Sequence, residues 1–563
     1  MDNPIGVPFQ DTDSDILALL GKKQVLKRRF GFWSLFGFAV CELITWETVL
    51  ALFSQSFNNG GPSGSVYGFI IAWASTLSVY TVISELASLA PIAGGQYYWV
   101  YILAPPRWKI FCSYIVGWLT SLAWIATVAI ETIFAGTILQ GLIILDYQET
   151  YVPQQWQGTL LAWMVVAVAI LINVVVPGFL PKLEISLIVL HIVSFIAIVT
   201  TLWVMTPQLN TAQFVFASSL NTGGWPTQGL SYCVGFLGNV ATFVGADASV
   251  HLAEETVNAG RNIPRAIIAS MCVNGIVGFV MMVTLLYCLG DVESVLESAT
   301  GYPFIQIFFN STQSLAGATV MGALVLALTW MCATGIITTA SRMTWSFARD
   351  RGIPFSTFLS KVSNKRRIPV AALCTACLLA CLLTLIYIGS YTAFNDVVSL
   401  TITGFYSSYF LPAGFLLWHR TKGTIASYQA LPEVPITASE KFGEKKDFDD
   451  SAVDPSRAQE NRTALLAAAP LAFGPFSLPG WIGIINNAYA CVYMIFVIFW
   501  SVWPPETPVN STNMNYSIVV TAGVIIFSMV WYVLKGRKEY KGPTVDDEVE
   551  QIMRRGSVVA TTA

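Results

Sequence analysis

The sequence is divided into apolar runs that are each long enough to cross a lipid bilayer, and this feature limits the possible folds more than any other. A transmembrane helix needs about 20 consecutive apolar residues, and hydrocarbon admits only structures whose backbone hydrogen bonds are all internal. Only 11% of the residues are charged, against about 25% in soluble domains. We therefore expect an all-α polytopic membrane protein with about 12 transmembrane helices. The predicted spans lie near 32–55, 65–89, 108–138, 157–177, 183–205, 231–250, 265–289, 316–345, 369–389, 393–418, 481–503 and 516–534.

The distribution of basic residues predicts the orientation of these helices. Cytoplasmic loops are enriched in Lys and Arg, and with the amino terminus inside, all 30 Lys and Arg residues fall on the cytoplasmic side. Both termini are therefore predicted to be cytoplasmic. Asn310 and Asn510 each begin an Asn-x-Ser/Thr sequon in a predicted outside loop and are expected glycosylation sites.

Composition also predicts the organisation of the chain and excludes some partners. The first 30 residues carry no signal-peptide core, and the net charge of −3 argues against a nucleic-acid partner. Cys374, Cys377 and Cys381 lie in an apolar run without His or carboxylate neighbours, so we predict no metal site, and no cofactor is expected. The predicted regions are a cytoplasmic tail (1–30), a core (31–420), a flexible cytoplasmic loop (421–465), two further helices (466–535) and a second cytoplasmic tail (536–563).

Polar residues inside the first and sixth predicted spans are the main candidates for a functional site. Ionisable groups within hydrocarbon are costly and usually functional. Glu42 and Glu47 lie in the first span, and Asp247 lies in the sixth, close to Gly245. Interrupted helices at matching places in two halves of a chain indicate a transporter binding site. The glycines are equally compatible with close helix packing, so both interpretations stay open on this pattern alone.

Glu131 in the third span and His191 in the fifth are two further ionisable groups within apolar runs. A lone histidine in a helix is more often a hydrogen-bonded packing residue than a proton carrier. The titration range of imidazole nevertheless suits proton coupling, and we keep His191, Glu42 and Asp247 as proton-coupling candidates.

The sequence contains six long motifs: SELASLAPIAGGQYYWVYILAPPRW, NGGPSGSVYG, LPKLEISLIVLHIVSF, GADASVHLAEETVNAGRNIPRAI, TTASRMTWSFARDRGIP and FSLPGWIGIINNAYACVY. Together these motifs resemble the fungal amino acid/choline transporter family of the amino acid-polyamine-organocation superfamily. The resemblance covers nearly the whole chain. It implies a leucine-transporter-type fold, in which two inverted repeats of five helices are followed by two C-terminal helices. It also implies proton-coupled uptake across the plasma membrane, with substrate held between helices 1 and 6 and flanked by helices 3, 8 and 10.

The resemblance also implies which residues contact the substrate, and the Gly94-Gly95 loop resembles the family's cytoplasmic gate-side loop. The implied substrate-binding residues are Cys41, Glu42, Thr45 and Trp46 in the first helix and Phe243, Gly245, Ala246 and Asp247 in the sixth.

These acidic and aromatic residues, with no Lys or Arg at mid-membrane, favour a substrate with an ammonium group. We therefore expect an amino acid or a γ-amino acid such as GABA, whose carboxylate would bind backbone N–H groups. Choline or a polyamine is the alternative substrate. A nutrient sensor without transport activity, or an exporter that serves a biosynthetic pathway, remains an alternative function.

Overall fold

The computed structural model of the chain describes residues 13, 17, 20–389, 391–428 and 471–543. Within these ranges, eleven helices are long and apolar enough to cross a membrane. Most of the predicted loop 421–465, the start of the first tail and most of the last tail lie outside the described residues.

The helices follow the predicted spans, except that the helix of span 2 already begins at Phe53 and is kinked at Gly61, and the helix of span 3 continues to Asp146. Span 1 comprises α1 and α2, span 2 is α3, span 3 is α5, spans 4 and 5 are α6 and α7, and span 6 comprises α9 and α10. Span 7 is α11, span 8 is α14, span 9 comprises α16 and α17, and spans 10, 11 and 12 are α18, α19 and α20. The bounds are α1 Phe32–Leu43, α2 Thr45–Ala51, α3 Phe53–Leu89, α4 Gln96–Leu103, α5 Lys109–Asp146, α6 Gln155–Val175, α7 Leu180–Met205, α8 Ala212–Ala217, α9 Gln228–Ala241, α10 Ala248–His251, α11 Ala259–Tyr287, α12 Val292–Leu296, α13 Pro303–Thr312, α14 Leu315–Arg349, α15 Ser356–Leu359, α16 Val370–Thr384, α17 Ile386–Gly389, α18 Tyr391–Lys422, α19 Gly480–Ser501, α20 Ser517–Trp531 and α21 Arg537–Glu539.

Eleven long helices rather than twelve are found because span 6 is not continuous. The predicted run 231–250 is divided into α9, which has 14 residues, and α10, which has 4. Span 1 is interrupted as well, at Ile44. Spans 1 and 6 open the two five-span halves of the core, so the two interruptions fall at the equivalent places that inverted repeats require.

The two ends of the bundle differ in composition. One side of the bundle, which we call the vestibule side, carries the segments 52–64, 146–155, 206–227, 288–314 and 502–516. These segments contain no Lys or Arg. Every described Lys and Arg lies at or near a helix end on the opposite side, which we call the basic side. Spans 1 and 3 are the innermost helices, since 89% of the apolar window of each is buried.

Parts of both predicted tails pack against the core. Lys22, Leu26 and Phe30 are almost completely buried, and Phe30 forms a β-bridge with Thr256 just after span 6. Tyr540 is also buried, and its hydroxyl lies 2.6 Å from the Ser113 hydroxyl at the start of span 3. Residues 20–30 therefore pack against the basic side.

Candidate functional site

The interruption of span 1 consists of one residue, Ile44, in the left-handed conformation with φ 30° and ψ 49°. This change of direction separates backbone groups that a continuous helix would pair. Asn274 on span 7 bonds the backbone on both sides of the break: its Oδ1 accepts from the Thr45 N–H at 3.3 Å, and its Nδ2 donates at 3.2 Å to the Val40 carbonyl, which also accepts from the Ile44 N–H. One buried side chain therefore stabilises the span-1 break.

The span-6 break covers residues 242–247 and depends on Gly245, whose φ of +119° is unfavourable for residues with a side chain. A Cβ atom at Gly245 would lie 3.0 Å from the Glu42 carbonyl oxygen, so the two broken spans touch here. The Tyr80 hydroxyl on span 2 accepts hydrogen bonds from the Gly245 and Ala246 N–H groups at 3.1 and 3.3 Å. Polar side chains from neighbouring spans thus form hydrogen bonds with the backbone at both breaks.

A small cavity of about 40 Å³ lies beside the two breaks. This volume holds about three water molecules, so a substrate can enter only if the walls move apart. Spans 1, 3, 6, 8 and 10 all contribute to the walls. The lining residues are Glu42, Leu43, Thr48, Leu52, Thr127, Ile130, Glu131, Phe134, Ala241, Val244, Ile336, Val398, Thr401 and Ile402.

Two carboxyl groups, Glu42 and Glu131, face this cavity, and no Lys or Arg is among its described lining residues. Glu42 is 3% exposed and Glu131 is 8% exposed. Among the residues that the structure describes, the Oε2 atom of each has no hydrogen-bond partner. Glu42 Oε1 packs against span 8, where a Cβ atom at Gly335 would lie only 1.9 Å away. Unpaired buried carboxyl groups are costly, and the arrangement fits a site for cations.

A vestibule of about 500 Å³ opens above this cavity on the vestibule side. Leu52 of span 1 and Phe134 of span 3 line both the vestibule and the cavity, so these two apolar side chains separate them. The vestibule also contains Gln55, Asn58 and Asp396. Access to the two carboxyl groups from this side therefore depends on a thin apolar layer.

The basic side is closed by a thicker layer of ion pairs. Arg349 of span 8 contacts Glu254 through two hydrogen bonds of 2.7 and 3.1 Å, and Arg342 contacts Glu255 at 2.8 Å. These buried pairs close the route from the cavity to the basic side.

Residues 20–30 and α4 extend this layer. Lys22 forms a buried ion pair with Asp350, and the Tyr97 hydroxyl of α4 donates to the same carboxylate at 2.7 Å. Burial and then the Asp350 carboxylate raise the pKa of Tyr97 well above its usual value. Tyr97 therefore stays a hydrogen-bond donor at any physiological pH.

Among the eight substrate-binding residues predicted from the sequence, Glu42 is the one that lines this cavity. Thr45 faces span 7, where a Cβ atom at Gly278 would meet its Cγ2 at 2.6 Å. Phe243 packs against Phe69 of span 2 with ring centroids 4.9 Å apart.

The other five predicted residues also lie near the breaks but outside the cavity lining. Gly245 and Ala246 form the span-6 break itself, and Cys41 is buried within α1. Asp247 is fully buried and accepts hydrogen bonds from Tyr409 at 2.6 Å and from Gln96 at 2.7 Å.

Trp46 and His191 form a separate buried cluster between spans 1 and 5, and this cluster includes Glu47. The His191 Nδ1 atom lies 2.7 Å from Glu47 Oε1 and 3.2 Å from Trp46 Nε1. All three side chains are at most 1% exposed. His191 therefore has a carboxyl partner, which the spacing of the sequence did not indicate.

Most of the cavity residues that were not among the predicted substrate-binding residues are apolar, and the polar ones are Thr48 of span 1, Thr127 and Glu131 of span 3 and Thr401 of span 10. Thr127 and Glu131 are four residues apart and share one face of span 3, as the helical period requires. Thr401 lies in the middle of span 10. The sequence signal that could have identified this face of span 3 was the four-residue spacing between Thr127 and Glu131 within an apolar run.

Comparison with known proteins identifies the family. The model of the family described as "Amino acid permease" matches residues 30–524 of this chain. The chain belongs to the amino acid permease family. It is a multi-pass membrane transporter and not an enzyme.

Relatives of this permease include transporters of different amino compounds. It is 29% identical to a putative amino acid/polyamine transporter of Macrophomina phaseolina, over 85% of the chain and 96% of the relative. It is 27% identical to the choline transporter of Saccharomyces cerevisiae, over 95% of the chain and 86% of the relative. It is 26% identical to the GABA-specific permease of the same yeast, over 96% and 88%.

Proposed function

We propose that this permease couples proton movement to the uptake of an amino compound whose positively charged nitrogen binds between Glu42 and Glu131. The observation that carries the proposal is that two carboxyl groups face one cavity and each has an unpartnered oxygen. A substrate cation would compensate the charge of these groups in a medium of low dielectric constant. The cavity adjoins both helix breaks, and this position supports a substrate site where the two halves of the transporter meet.

An amino acid or a GABA-like amino compound is the first candidate substrate. Its carboxylate would need hydrogen-bond donors, which half-helix ends often supply. The sequence similarity to a GABA-specific permease supports this candidate.

Choline or a polyamine is the second candidate, and one observation favours it. The N–H groups of Thr45, Gly245 and Ala246 at the two breaks already donate to Asn274 or Tyr80. A substrate carboxylate would have to compete with these partners, whereas a cation without a carboxylate needs none of these donors.

We further propose that the protein lies in the plasma membrane, with its basic side and both termini facing the cytoplasm. The absence of Lys and Arg from the described vestibule-side loops supports this orientation. In this orientation the vestibule opens to the outside, as uptake requires.

The test is an uptake screen in cells that lack their own carriers. Labelled amino acids, GABA, choline and putrescine are supplied with and without a proton gradient. We expect accumulation of at least one compound, loss of accumulation when the gradient is collapsed, and a strong loss in the Glu42→Gln and Glu131→Gln variants. Glu149→Gln is the matched control, because Glu149 is exposed in a vestibule-side loop.

Three outcomes would contradict parts of the proposal. Uptake that does not depend on the gradient would exclude proton coupling. Unchanged uptake in both cavity variants would exclude the two carboxyl groups as the cation site. Accumulation of none of the compounds, or net export, would favour the sensor or the exporter.

A further inference from the structure

We infer that His251 holds a proton while the basic side is closed, and that loss of this proton releases the Gly94-Gly95 loop from span 6. The inference rests on the proposed proton coupling and assigns the coupling proton to a histidine outside the substrate cavity. His251 is the last residue of α10 and is fully buried. It therefore lies on the segment of span 6 that the closed basic side holds in place.

The hydrogen bond at Nδ1 determines the tautomer of His251. Nδ1 lies 2.8 Å from the carbonyl oxygen of Ala93, next to the Gly94-Gly95 loop. A carbonyl oxygen can only accept, so Nδ1 must carry a hydrogen atom. In a neutral imidazole the other nitrogen, Nε2, would then carry a lone pair and no proton.

The second ring nitrogen faces a carboxylate. Nε2 lies 3.7 Å from Oδ2 of Asp247, one turn earlier in the chain, and has no hydrogen-bond partner within the described part of the chain. Asp247 accepts from the Gln96 amide and from the Tyr409 hydroxyl, which is the bonding pattern of an ionised carboxylate. A lone pair on Nε2 would therefore face a negative oxygen, whereas a proton on Nε2 would form an ion pair with it.

Protonation thus stabilises one arrangement of the loop. With both nitrogens protonated, His251 joins the Ala93 carbonyl to Asp247, while Gln96 joins the same carboxylate to the start of α4. Gly95 fits tightly here, since a Cβ atom would lie 3.1 Å from Val250 and 3.4 Å from His251. Without the proton on Nε2, the contact with Asp247 becomes repulsive and the closed arrangement loses an ion pair.

Burial links this change to the transport cycle. The imidazole is completely buried and packs against Trp124 with ring centroids 5.6 Å apart. Its proton can exchange with water on the basic side only after the loop has moved. By linkage, a site that binds a proton more tightly in the closed state makes opening more favourable when the proton leaves.

The acidic groups next to His251 in the chain have basic partners of their own. Glu254 and Glu255 pair with Arg349 and Arg342 of span 8. Other titratable groups on adjoining elements include Cys41 and Glu42 of span 1, Tyr80 of span 2, Tyr97 and Tyr98 of α4, Glu131 of span 3, Cys332 of span 8 and Tyr409 of span 10. Thiols and phenols ordinarily titrate well above pH 7, and Glu42 and Glu131 face the substrate cavity. Imidazole is the side chain whose ordinary titration range lies between pH 5 and 8, and His251 is the histidine among these groups.

The test is hydrogen exchange of the purified full-length protein in lipid nanodiscs without substrate, followed by mass spectrometry of peptides that cover 90–103. Exchange rates are corrected for the intrinsic effect of pH. We expect the opening equilibrium of this segment to rise between about pH 5.5 and 8, by up to about tenfold per pH unit, the limit for one linked proton. His251→Gln should remove this pH dependence. His419→Gln, a substitution of a histidine whose ring bonds Thr424 and Leu103 instead, should retain it.

An opening equilibrium that does not change with pH in the unmodified protein would overturn the inference even if no variant folds. A pH dependence that persists in His251→Gln would assign it to another group and would also overturn the inference. These measurements use no substrate, so they remain distinct from the uptake screen. If uptake proves independent of the proton gradient while the loop still responds to pH, the proposed coupling fails and His251 controls the gate alone.

Discussion

Gly335→Ala is expected to weaken substrate binding strongly while changing stability little. The new Cβ atom would lie 1.9 Å from Glu42 Oε1, whereas ordinary contact begins at 3.4 Å, so the carboxyl group must move by about 1.5 Å. A charged hydrogen bond of about 1.5–3 kcal/mol would be lost. Since 1.4 kcal/mol corresponds to a factor of ten, KM should rise by about 10- to 150-fold. Gly→Ala in a helix gains about 1 kcal/mol, which offsets much of the overpacking cost of about 1–3 kcal/mol.

The assay is concentration-dependent uptake of the identified substrate, combined with the melting temperature of the purified protein. Gly322→Ala is the matched control on the same helix, because its Cβ atom would meet only the Leu142 side chain, whose nearest atom lies at 2.5 Å and can rotate away. We expect Gly322→Ala to keep its KM. An unchanged KM in folded Gly335→Ala would refute the assignment of Glu42 to the substrate site.

Three further predictions concern the fold and its orientation. Asn274→Ala leaves a buried N–H group of the span-1 break without its partner and should lower the free energy of unfolding by about 1–3 kcal/mol, measured by denaturation of the purified protein; an unchanged value would mean that Asn274 does not stabilise the break. Arg342→Met leaves Glu255 buried without its cation and should cost about 3–5 kcal/mol, and the double variant with Glu255→Gln should recover part of this loss. Asn510→Gln should remove more of the endoglycosidase-sensitive mass than Asn310→Gln, because Asn510 is exposed in a loop and Asn310 is half-buried on α13; no sensitive mass in the unmodified protein would contradict the proposed exposure of this side.

The number and bounds of the spans could be read from the sequence because each span must satisfy its backbone within hydrocarbon. This requirement acts on composition over about 20 residues and does not depend on tertiary contacts. Span 6 shows the limit of the method. The run 231–250 is apolar enough to count as a helix, yet the helix ends at Ala241, and the break that follows contains Gly245 with its positive φ and its N–H hydrogen bond to Tyr80.

The candidate site could be predicted only in part, because composition does not show which way a side chain points. Glu42 and Asp247 look alike in the sequence, as acidic residues at the middle of broken spans. In the structure, Glu42 faces the cavity with an unpartnered oxygen, whereas Asp247 accepts hydrogen bonds from Gln96 and Tyr409. Gln96 is 151 residues away from Asp247 in the chain, and Tyr409 is 162 residues away. No local pattern could have indicated these partners.

The two sides of the candidate site are closed by different physical means, and the difference fits a transporter that alternates between two states. On the vestibule side, the apolar side chains of Leu52 and Phe134 lie between the vestibule and the cavity, so moving them apart exposes a small hydrophobic area. Buried ion pairs such as that of Arg349 with Glu254 close the basic side. The attraction within such a pair roughly offsets the free-energy cost of its desolvation. Hydration by water that enters the basic side therefore replaces most of the stabilisation that the pairs contribute. Neither closure is then much stronger than its hydrated alternative. When the free energies of two states differ by only a few kcal/mol, a bound ligand or one proton can shift the population between them. His251 lies where the gain or loss of a proton would change that difference.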